Sequence, residues 1–189
     1  MQCAVFVLVG GRSSRMGCDK ALLPWQGHTL VELVAAQARA VTGNITLVGQ
    51  VSRYANLGYP VIEDIFPGLG PLSGMHAALT HSRSDWNLIL ACDMPQISAD
   101  LLVQLVARAE ISQAAAIIPV GPDAVPQPLC AAYRRECAAA IAPALENRVS
   151  KITEALATLK IDFWPVPHSH CFRNLNTPDE WAAYSHAAR

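Results

Sequence analysis

A glycine-rich segment with three cations follows the first apolar run of the chain. Adjacent glycines let the backbone turn tightly and bring bare N–H groups against an anion or a flat base. Arg12, Arg15 and Lys20 add the positive charge that a polyphosphate needs. The spacing matches neither a Walker A motif nor the G-x-G-x-x-G pattern. A surface turn with solvated cations is the alternative interpretation. The segment reads Gly10-Gly11-Arg12-Ser13-Ser14-Arg15-Met16-Gly17-Cys18-Asp19-Lys20.

Two aspartates end apolar runs further along the chain. Asp93 closes a buried run in Cys92-Asp93-Met94-Pro95, and Asp64 ends a shorter one. A buried aspartate costs free energy unless something pairs with it, and a hard divalent cation is a common partner near phosphates. A turn aspartate before a proline is the alternative for Asp93. Together with the basic segment, the two acids predict a magnesium–nucleotide site.

Two further segments combine glycine or amide side chains with a helix start. Gly68-Leu69-Gly70-Pro71-Leu72-Ser73-Gly74 suits close packing on a base or ribose, or is a linker. In Asn174-Leu175-Asn176-Thr177-Pro178-Asp179-Glu180, Thr177 and Glu180 have the spacing of a capping box. The amides of Asn174 and Asn176 are suited to reading the edge of a heterocycle. The cluster His168-Ser169-His170-Cys171 lacks further ligands at zinc spacing, so a metal role is not predicted.

The apolar pattern predicts the elements that must position these residues. Continuous apolar runs alternate with stretches of helical spacing, which predicts an α/β fold in three layers. Its mostly parallel, twisted sheet would carry helices on both faces and bind ligands beyond the carboxyl ends of its strands. The prolines and glycine of residues 121–127 suggest a lid-like loop. Strands are predicted over 3–9, 45–48, 60–62, 86–92, 114–120, 129–133 and 161–166, and helices over 30–41, 71–79, 98–109, 135–145, 150–159 and from 177 onward.

Composition excludes several classes of protein. The 189 residues carry 14 Lys and Arg against 15 Asp and Glu, so no basic excess favours nucleic acid or an anionic membrane. Since 52% of residues are apolar, the chain can bury a large core and is not intrinsically disordered. No apolar run reaches the length of a membrane span, and no secretory leader is recognised. The six cysteines are scattered, and most lie in apolar runs typical of core positions. We expect a cytoplasmic protein of one domain.

The motifs together resemble one enzyme family. The run from Val7 to Leu23 resembles the signature loop of the molybdenum cofactor guanylyltransferases, a branch of the nucleotidyltransferase superfamily. The resemblance implies a single domain over residues 1–189 with the fold of the nucleotide-diphospho-sugar transferases. Residues 1–110 would form its nucleotide-binding half and residues 111–189 its molybdopterin-binding half. The resemblance to this family continues through Ile62-Glu63-Asp64, Gly70-Pro71-Leu72-Ser73-Gly74, Cys92-Asp93-Met94-Pro95 and Asn174-Leu175-Asn176-Thr177-Pro178.

The reaction that this resemblance implies is the transfer of GMP from GTP to the phosphate of molybdopterin, with release of pyrophosphate. The reaction would depend on Mg²⁺ and yield molybdopterin guanine dinucleotide, and molybdoenzymes or their chaperones are expected as partners. Arg15 and Lys20 would neutralise the triphosphate, Asp64 would contact the nucleotide, and Asp93 would hold Mg²⁺. The guanine and ribose would lie against Leu8, Val9, Gly10 and Gly11, and the pterin would face Gln127, Arg148, Lys151, Asn174 and Asn176.

Two departures from the family pattern bear on the choice of base. Val9 stands where the family commonly has alanine, which would narrow the pocket near the base. The run Val48-Gly49-Gln50 lacks the asparagine that some members present to the nucleotide. The paired Gly10-Gly11 resembles the branch that uses GTP. A cytidylyltransferase of the same pterin, a sugar-phosphate nucleotidyltransferase and a non-catalytic carrier of nucleotide or pterin are the alternatives.

Overall fold

A computed structural model of the chain describes residues 3–9, 19–66, 68–167, 170–175 and 177–187. The strands are β1 (Cys3–Leu8), β2 (Pro24–Trp25), β3 (His28–Thr29), β4 (Ile45–Val48), β5 (Val61–Ile62), β6 (Trp86–Ala91), β7 (Ala116–Val120), β8 (Cys130–Arg134) and β9 (Ile161–Pro165). The α-helices are α1 (Leu30–Ala38), α2 (Val51–Tyr54), α3 (Pro71–His81), α4 (Ala99–Ile111), α5 (Cys137–Glu146), α6 (Ile152–Ala155) and α7 (Pro178–Ala187). Short 3₁₀ helices cover Lys20–Leu22, Ala55–Leu57 and His170–Phe172.

Seven strands form one sheet in the order β5-β4-β1-β6-β8-β7-β9. Strands β5, β4, β1 and β6 are mutually parallel, with Cys3 opposite Trp86 and Val5 opposite Ile45. Strand β8 runs antiparallel to both of its neighbours, β6 and β7, and β9 is parallel to β7. The predicted α/β fold with a mostly parallel sheet is therefore confirmed.

The sheet is covered on both faces because its central strands are apolar on both sides. Alternate residues of β1 point to opposite faces. Val5 and Val7 join a core with residues of α1 and α4, whereas Phe6 joins a second core with residues of α3 and α5. Every residue of β6 is buried, as a central parallel strand requires. Cys3, Cys92 and Cys130 are buried thiols in this core, which confirms the interpretation of these cysteines as core residues.

Three local features differ from the sequence-based expectation. The β2–β3 hairpin was not predicted; its two-residue loop has Gln26 and Gly27 at positive φ, as in a tight hairpin turn. Helix α2 has a single turn, too short to show periodicity. Helix α6 ends at Ala155 rather than near residue 159, because turns through Leu156 and Leu159 redirect the chain into β9. Among the described helices, none combines the length and the apolarity that crossing a membrane requires.

Asn87 provides a buried polar link at the amino end of β6. Its side chain is fully buried, and its amide oxygen accepts a hydrogen bond from the Ser82 hydroxyl. Its amide nitrogen donates to the carbonyl oxygens of Ser84 at 3.3 Å and Tyr133 at 3.4 Å. The side chain thereby joins the loop before β6 to strand β8.

We predict that Asn87→Ala lowers the free energy of unfolding by about 1–3 kcal/mol, because buried polar partners lose their hydrogen bonds. For a domain of this size, each kcal/mol corresponds to roughly 2–4 °C in Tm, which calorimetry measures. The control is Asn147→Ala, since the exposed Asn147 amide donates only locally, to the Pro143 carbonyl. Equal Tm values for the two variants would contradict the prediction.

Candidate active site at the carboxyl edge of the sheet

The carboxyl ends of four parallel strands meet at one edge of the sheet. Hydrogen bonds beyond the strands hold this edge together. The N–H of Val9 donates to the Val48 carbonyl at 3.0 Å, and the N–H of Gly49 donates to the Ile62 carbonyl at 2.8 Å. The N–H of Cys92 donates to the Leu8 carbonyl at 3.3 Å. The segments that follow β1, β4, β5 and β6 are therefore held side by side, as expected for a ligand site in such a sheet.

Lys20 and Asp93 form an ion pair at this edge. Lys20 Nζ lies 3.8 Å from Asp93 Oδ2, and the side chains are only 17% and 23% exposed. Lys20 begins the 3₁₀ helix Lys20–Leu22, and Asp93 follows β6. Burial raises the pKa of the Asp93 carboxyl, and the positive charge of Lys20 partly offsets that rise. The fold thus brings together two residues that the sequence singled out, and gives the carboxylate a surrounding that favours a cationic partner.

Asp19 anchors the residue next to Lys20. Its carboxylate caps the 3₁₀ helix by accepting from the N–H of Ala21 at 3.1 Å. The same carboxylate accepts from the Tyr54 hydroxyl at 2.7 Å and from the Arg53 guanidinium at 3.3 Å. Sequence reasoning missed Tyr54 and Arg53, because they lie on the single-turn helix α2. No sequence pattern indicates that α2 would reach the segment after β1.

Asp64 lies at the same edge but in a different position. Strands β4 and β1 separate β5, which Asp64 follows, from β6. The Asp64 carboxylate lies near the start of α3, where a Cβ built on Gly74 would be 3.4 Å from Asp64 Oδ1 and 3.2 Å from Leu8 Cδ2. Burial raises the pKa of Asp64. The expectation that both acids lie at the carboxyl edge is confirmed, although intervening strands separate the strands that carry them.

The backbone of Leu8 and Val9 is engaged within the protein. Besides the bonds given above, the Val9 carbonyl accepts from the Tyr54 hydroxyl. The Val9 side chain is buried, and a Cβ on Gly49 would lie 2.8 Å from its Cγ2. The extra methyl groups of Val9 therefore pack beside Gly49 and the Tyr54 ring. Any narrowing of a base pocket by Val9 stays a prediction.

The expected pterin residues lie on several elements of the second half. Asn174 is exposed and precedes Leu175, whose N–H donates to the Asp93 carbonyl at 3.0 Å. This bond brings the Asn174 segment to the candidate site. Arg148 and Lys151 are exposed at the two ends of the turn before α6, and Gln127 follows a hydrogen-bonded turn closed between Gly121 and Ala124. In the described ranges, no hydrogen bond or ion pair joins Gln127, Arg148 or Lys151 to Asp93.

Several predicted residues lie outside the described ranges, and their expected roles stay predictions. They are Gly10, Gly11, Arg12, Arg15, His168, Ser169 and Asn176. The capping box of α7 is described. The N–H of Thr177 donates to Glu180 Oε2 at 2.9 Å, and the N–H of Glu180 donates to Thr177 Oγ1 at 3.2 Å. This prediction is confirmed.

The donor set at the edge fits a magnesium ion that arrives with a nucleotide. Mg²⁺ keeps several waters and takes one or two carboxylates plus substrate phosphates. Asp93 supplies a hard oxygen ligand in a partly buried site that favours a positive partner. Within the described part of the chain, no three His, Cys, Asp or Glu residues cluster as a ready-made metal site. A protein-only cage is thus not found there, whereas one carboxylate beside the Lys20 ammonium fits.

The sequence of residues 5–160 matches the family described as the MobA-like NTP transferase domain. The chain belongs to this family.

Relatives named as probable molybdenum cofactor guanylyltransferases match almost the whole chain. A protein of Flavobacterium johnsoniae named "probable molybdenum cofactor guanylyltransferase" is 32% identical, covering 93% of this chain and 92% of its own length. A protein of the same name from Bacillus cytotoxicus is 33% identical, and the match covers 95% of this chain and 94% of that protein. The crystal structure of molybdopterin-guanine dinucleotide biosynthesis protein A from Archaeoglobus fulgidus superposes with a TM-score of 0.85 at 27% identity and covers 98% of both chains. The chain is therefore a nucleotidyltransferase of the MobA-like family.

In this MobA-like protein, we predict that Asp64→Asn stabilises the free protein. Because burial raises the pKa of Asp64 above its ordinary 3.8, its stabilising contribution is complete below that pH and is lost as the pH rises through the raised pKa. The Asn side chain at position 64 is uncharged at every pH. The Tm of the variant therefore exceeds that of the wild type at pH 7.5, and the gain in Tm disappears toward pH 3. Thermal melts across this range without nucleotide measure the difference. A Tm gain that is absent at pH 7.5, or that is larger in acid, would contradict the prediction.

Proposed function

We propose that this chain transfers GMP from GTP to the terminal phosphate of molybdopterin and releases pyrophosphate. The observation that carries the proposal is the Lys20–Asp93 pair, which puts a cation and a carboxylate at the ligand-binding edge of a MobA-like fold. The relatives named molybdenum cofactor guanylyltransferases support guanine as the base and molybdopterin as the acceptor. GTP is a cytoplasmic nucleotide, which agrees with the expected cytoplasmic location.

The reaction exchanges one phosphoanhydride bond for another. An oxygen of the molybdopterin phosphate forms a bond to the α-phosphorus of GTP, and the bond from that phosphorus to the β-phosphate oxygen breaks. A phosphate monoester is already ionised near neutral pH, so the attacking oxygen needs no strong general base. The work left for the protein is to position both substrates and to neutralise charge on the transferring group and on pyrophosphate.

Lys20 and Asp93 perform different parts of that work. The Lys20 ammonium binds phosphate oxygens and balances the negative charge that accumulates on the leaving pyrophosphate. Asp93 would hold Mg²⁺, which supplies charge neutralisation at the nucleotide phosphates when bound. Asp93 is partly buried beside Lys20, so its carboxylate is held in place to accept a cation. Arg15, from the segment after β1, would add a second positive charge to the triphosphate.

The remaining predicted contacts divide between the two substrates. Asp64 and the Leu8–Gly11 segment would contact the ribose and guanine, on the α3 side of the edge. Asn174 and Asn176, together with Gln127, Arg148 and Lys151, would contact the pterin. The bond from Leu175 to the Asp93 carbonyl supports this division, since it brings the amide-bearing segment beside the metal-binding residue.

We predict that Lys20→Ala and Asp93→Asn each lower kcat for pyrophosphate release about 10²- to 10³-fold, as expected when one preorganised charge is removed from a transition state. The assay contains GTP, Mg²⁺ and molybdopterin. Matched controls are Lys160→Ala and Asp100→Asn, which remove the same charges from exposed positions. Retention of the wild-type rate by either site variant would contradict the assigned role.

The choice of nucleotide has its own test. Calorimetric titration of the wild type with GTP, CTP and ATP, with and without Mg²⁺, should show a preference for GTP that requires the metal. The same titration of Asp93→Asn should show weaker binding in Mg²⁺. A preference for CTP would assign the protein to the cytidylyltransferases, and GTP binding without pyrophosphate release in the presence of molybdopterin would favour a carrier.

A further inference from the structure

The Tyr54 hydroxyl lies between the two ends of the segment that follows β1. Its oxygen lies within hydrogen-bonding distance of the Val9 carbonyl oxygen on one side and of Asp19 Oδ2, 2.7 Å away, on the other, and its single proton is donated to one of these two acceptors at a time. Val9 and Asp19 flank residues 10–18, and Tyr54 is 45 residues beyond Val9 in sequence. A single buried side chain from α2 therefore fixes the backbone where the segment leaves the sheet and the carboxylate where it returns.

Packing around the Tyr54 ring restricts the orientation of the side chain and therefore the position of its hydroxyl. Tyr54 is only 2% exposed and lies in the core beside Val9. A Cβ on Gly49 would be 2.9 Å from Tyr54 Cε2 and 2.8 Å from Val9 Cγ2, distances too short for a real Cβ. The absence of a side chain at position 49 is thus what allows the ring to lie against β1. Burial and the neighbouring Asp19 carboxylate raise the pKa of Tyr54 above its ordinary range, so the hydroxyl keeps its proton and stays a donor.

Asp19 in turn holds the backbone of the helix that Lys20 begins. Its carboxylate caps the 3₁₀ helix that Lys20 begins, and its carbonyl accepts from the N–H of Leu22 at 3.2 Å. Arg53, beside Tyr54 on α2, adds an ion pair to Asp19 at 3.3 Å. Two adjacent residues of α2 therefore hold the residue next to Lys20, whose ammonium lies 3.8 Å from Asp93.

We infer that Tyr54 is a positioning residue of the transfer reaction, which holds Asp19 against the end of β1 so that Lys20 is directed at Asp93 and the phosphates. The inference rests on the proposed function for its effect on rate, but its effect on structure does not depend on that function. Tyr54 acts through Lys20 and takes no part in bond making.

The first experiment is a double-mutant cycle in the pyrophosphate-release assay. Tyr54→Phe removes the hydroxyl and keeps the ring, and it lowers kcat/KM about 10- to 100-fold, the scale expected for a displaced catalytic group. In the Lys20→Ala background the same change has little further effect, because the residue through which it acts is gone. The control is Tyr59→Phe, which removes a hydroxyl that accepts a hydrogen bond from the Arg39 guanidinium at 3.3 Å on the protein surface and leaves the rate unchanged.

Two results of the cycle would overturn the inference. One is a wild-type rate for Tyr54→Phe. The other is an equal loss of rate with Lys20 present and absent, which would mean that Tyr54 acts on general stability. Circular dichroism at the assay temperature identifies a variant that does not fold. In that case Asp19→Ala replaces Tyr54→Phe in the cycle. It removes the carboxylate that the Tyr54 hydroxyl contacts, and the expected outcomes are the same.

The second experiment measures structure without substrate, by amide hydrogen exchange. The N–H groups of Leu22 and Leu23 are bonded to the carbonyls of Asp19 at 3.2 Å and Lys20 at 3.1 Å. Tyr54→Phe should accelerate their exchange, while exchange in β6 stays as in the wild type. Unchanged exchange at Leu22 and Leu23 would overturn the inference. If the wild type released no pyrophosphate, the proposed function would fail, and this exchange difference would still decide whether Tyr54 holds the Lys20 segment.

Gly49→Ala tests the packing on which the contact depends. The added Cβ pushes the Tyr54 ring or Val9 away, so the variant should reproduce the accelerated exchange at Leu22 and Leu23 and a smaller loss of kcat/KM than Tyr54→Phe. Gly43→Ala is the control, since a Cβ at Gly43 meets no atom within 4 Å in the described structure. Wild-type exchange and rate in Gly49→Ala would contradict the packing argument.

Discussion

The structure depends on keeping a partly buried carboxylate charged at the edge of the sheet. Asp93 follows the fully buried strand β6, where burial alone favours its protonated form. Lys20 supplies the compensating charge at 3.8 Å, yet it arrives on a different segment, after β1. The pair forms because β1 and β6 are adjacent parallel strands in register, from Cys3 opposite Trp86 to Leu8 opposite Ala91. The order of strands is thus what allows one cation and one acid to share a site.

The same edge carries acidic groups that the free protein does not fully compensate. Burial raises the pKa of Asp64, and for Asp93 the positive charge of Lys20 offsets part of such a rise. Such groups reduce the stability of the empty protein in exchange for a site that favours cations, a common relation between activity and stability. Binding of a cation at this edge would offset the cost of burying these carboxylates.

Sequence reasoning succeeded where a strong local signal exists. The continuous apolar runs of β1 and β6 mark strands buried on both faces, and Asp93, two residues beyond β6, lies at the edge where ligands are expected. The capping box of α7 is readable because its two residues are three positions apart. The contacts of Tyr54 could not be predicted from a local pattern. Its partners Val9 and Asp19 are 45 and 35 residues away in the sequence, and α2 has no periodic pattern. Contacts that tertiary packing alone creates leave no mark in a local pattern.

Trp25 of the hairpin packs on α7, which lies beyond the matched family region. Trp25 of the hairpin packs on Trp181 and Tyr184 of α7, with ring centroids 5.9 and 4.7 Å apart. The hairpin continues from the Lys20 helix, and α7 begins just after Leu175, which is bonded to Asp93. The segments that carry Lys20 and Asp93 are therefore connected a second time, through this aromatic cluster. Since the match to the family model ends at residue 160, Trp181 and Tyr184 lie beyond it. Packing from this terminal part of the chain therefore supports the hairpin that continues from the Lys20 helix.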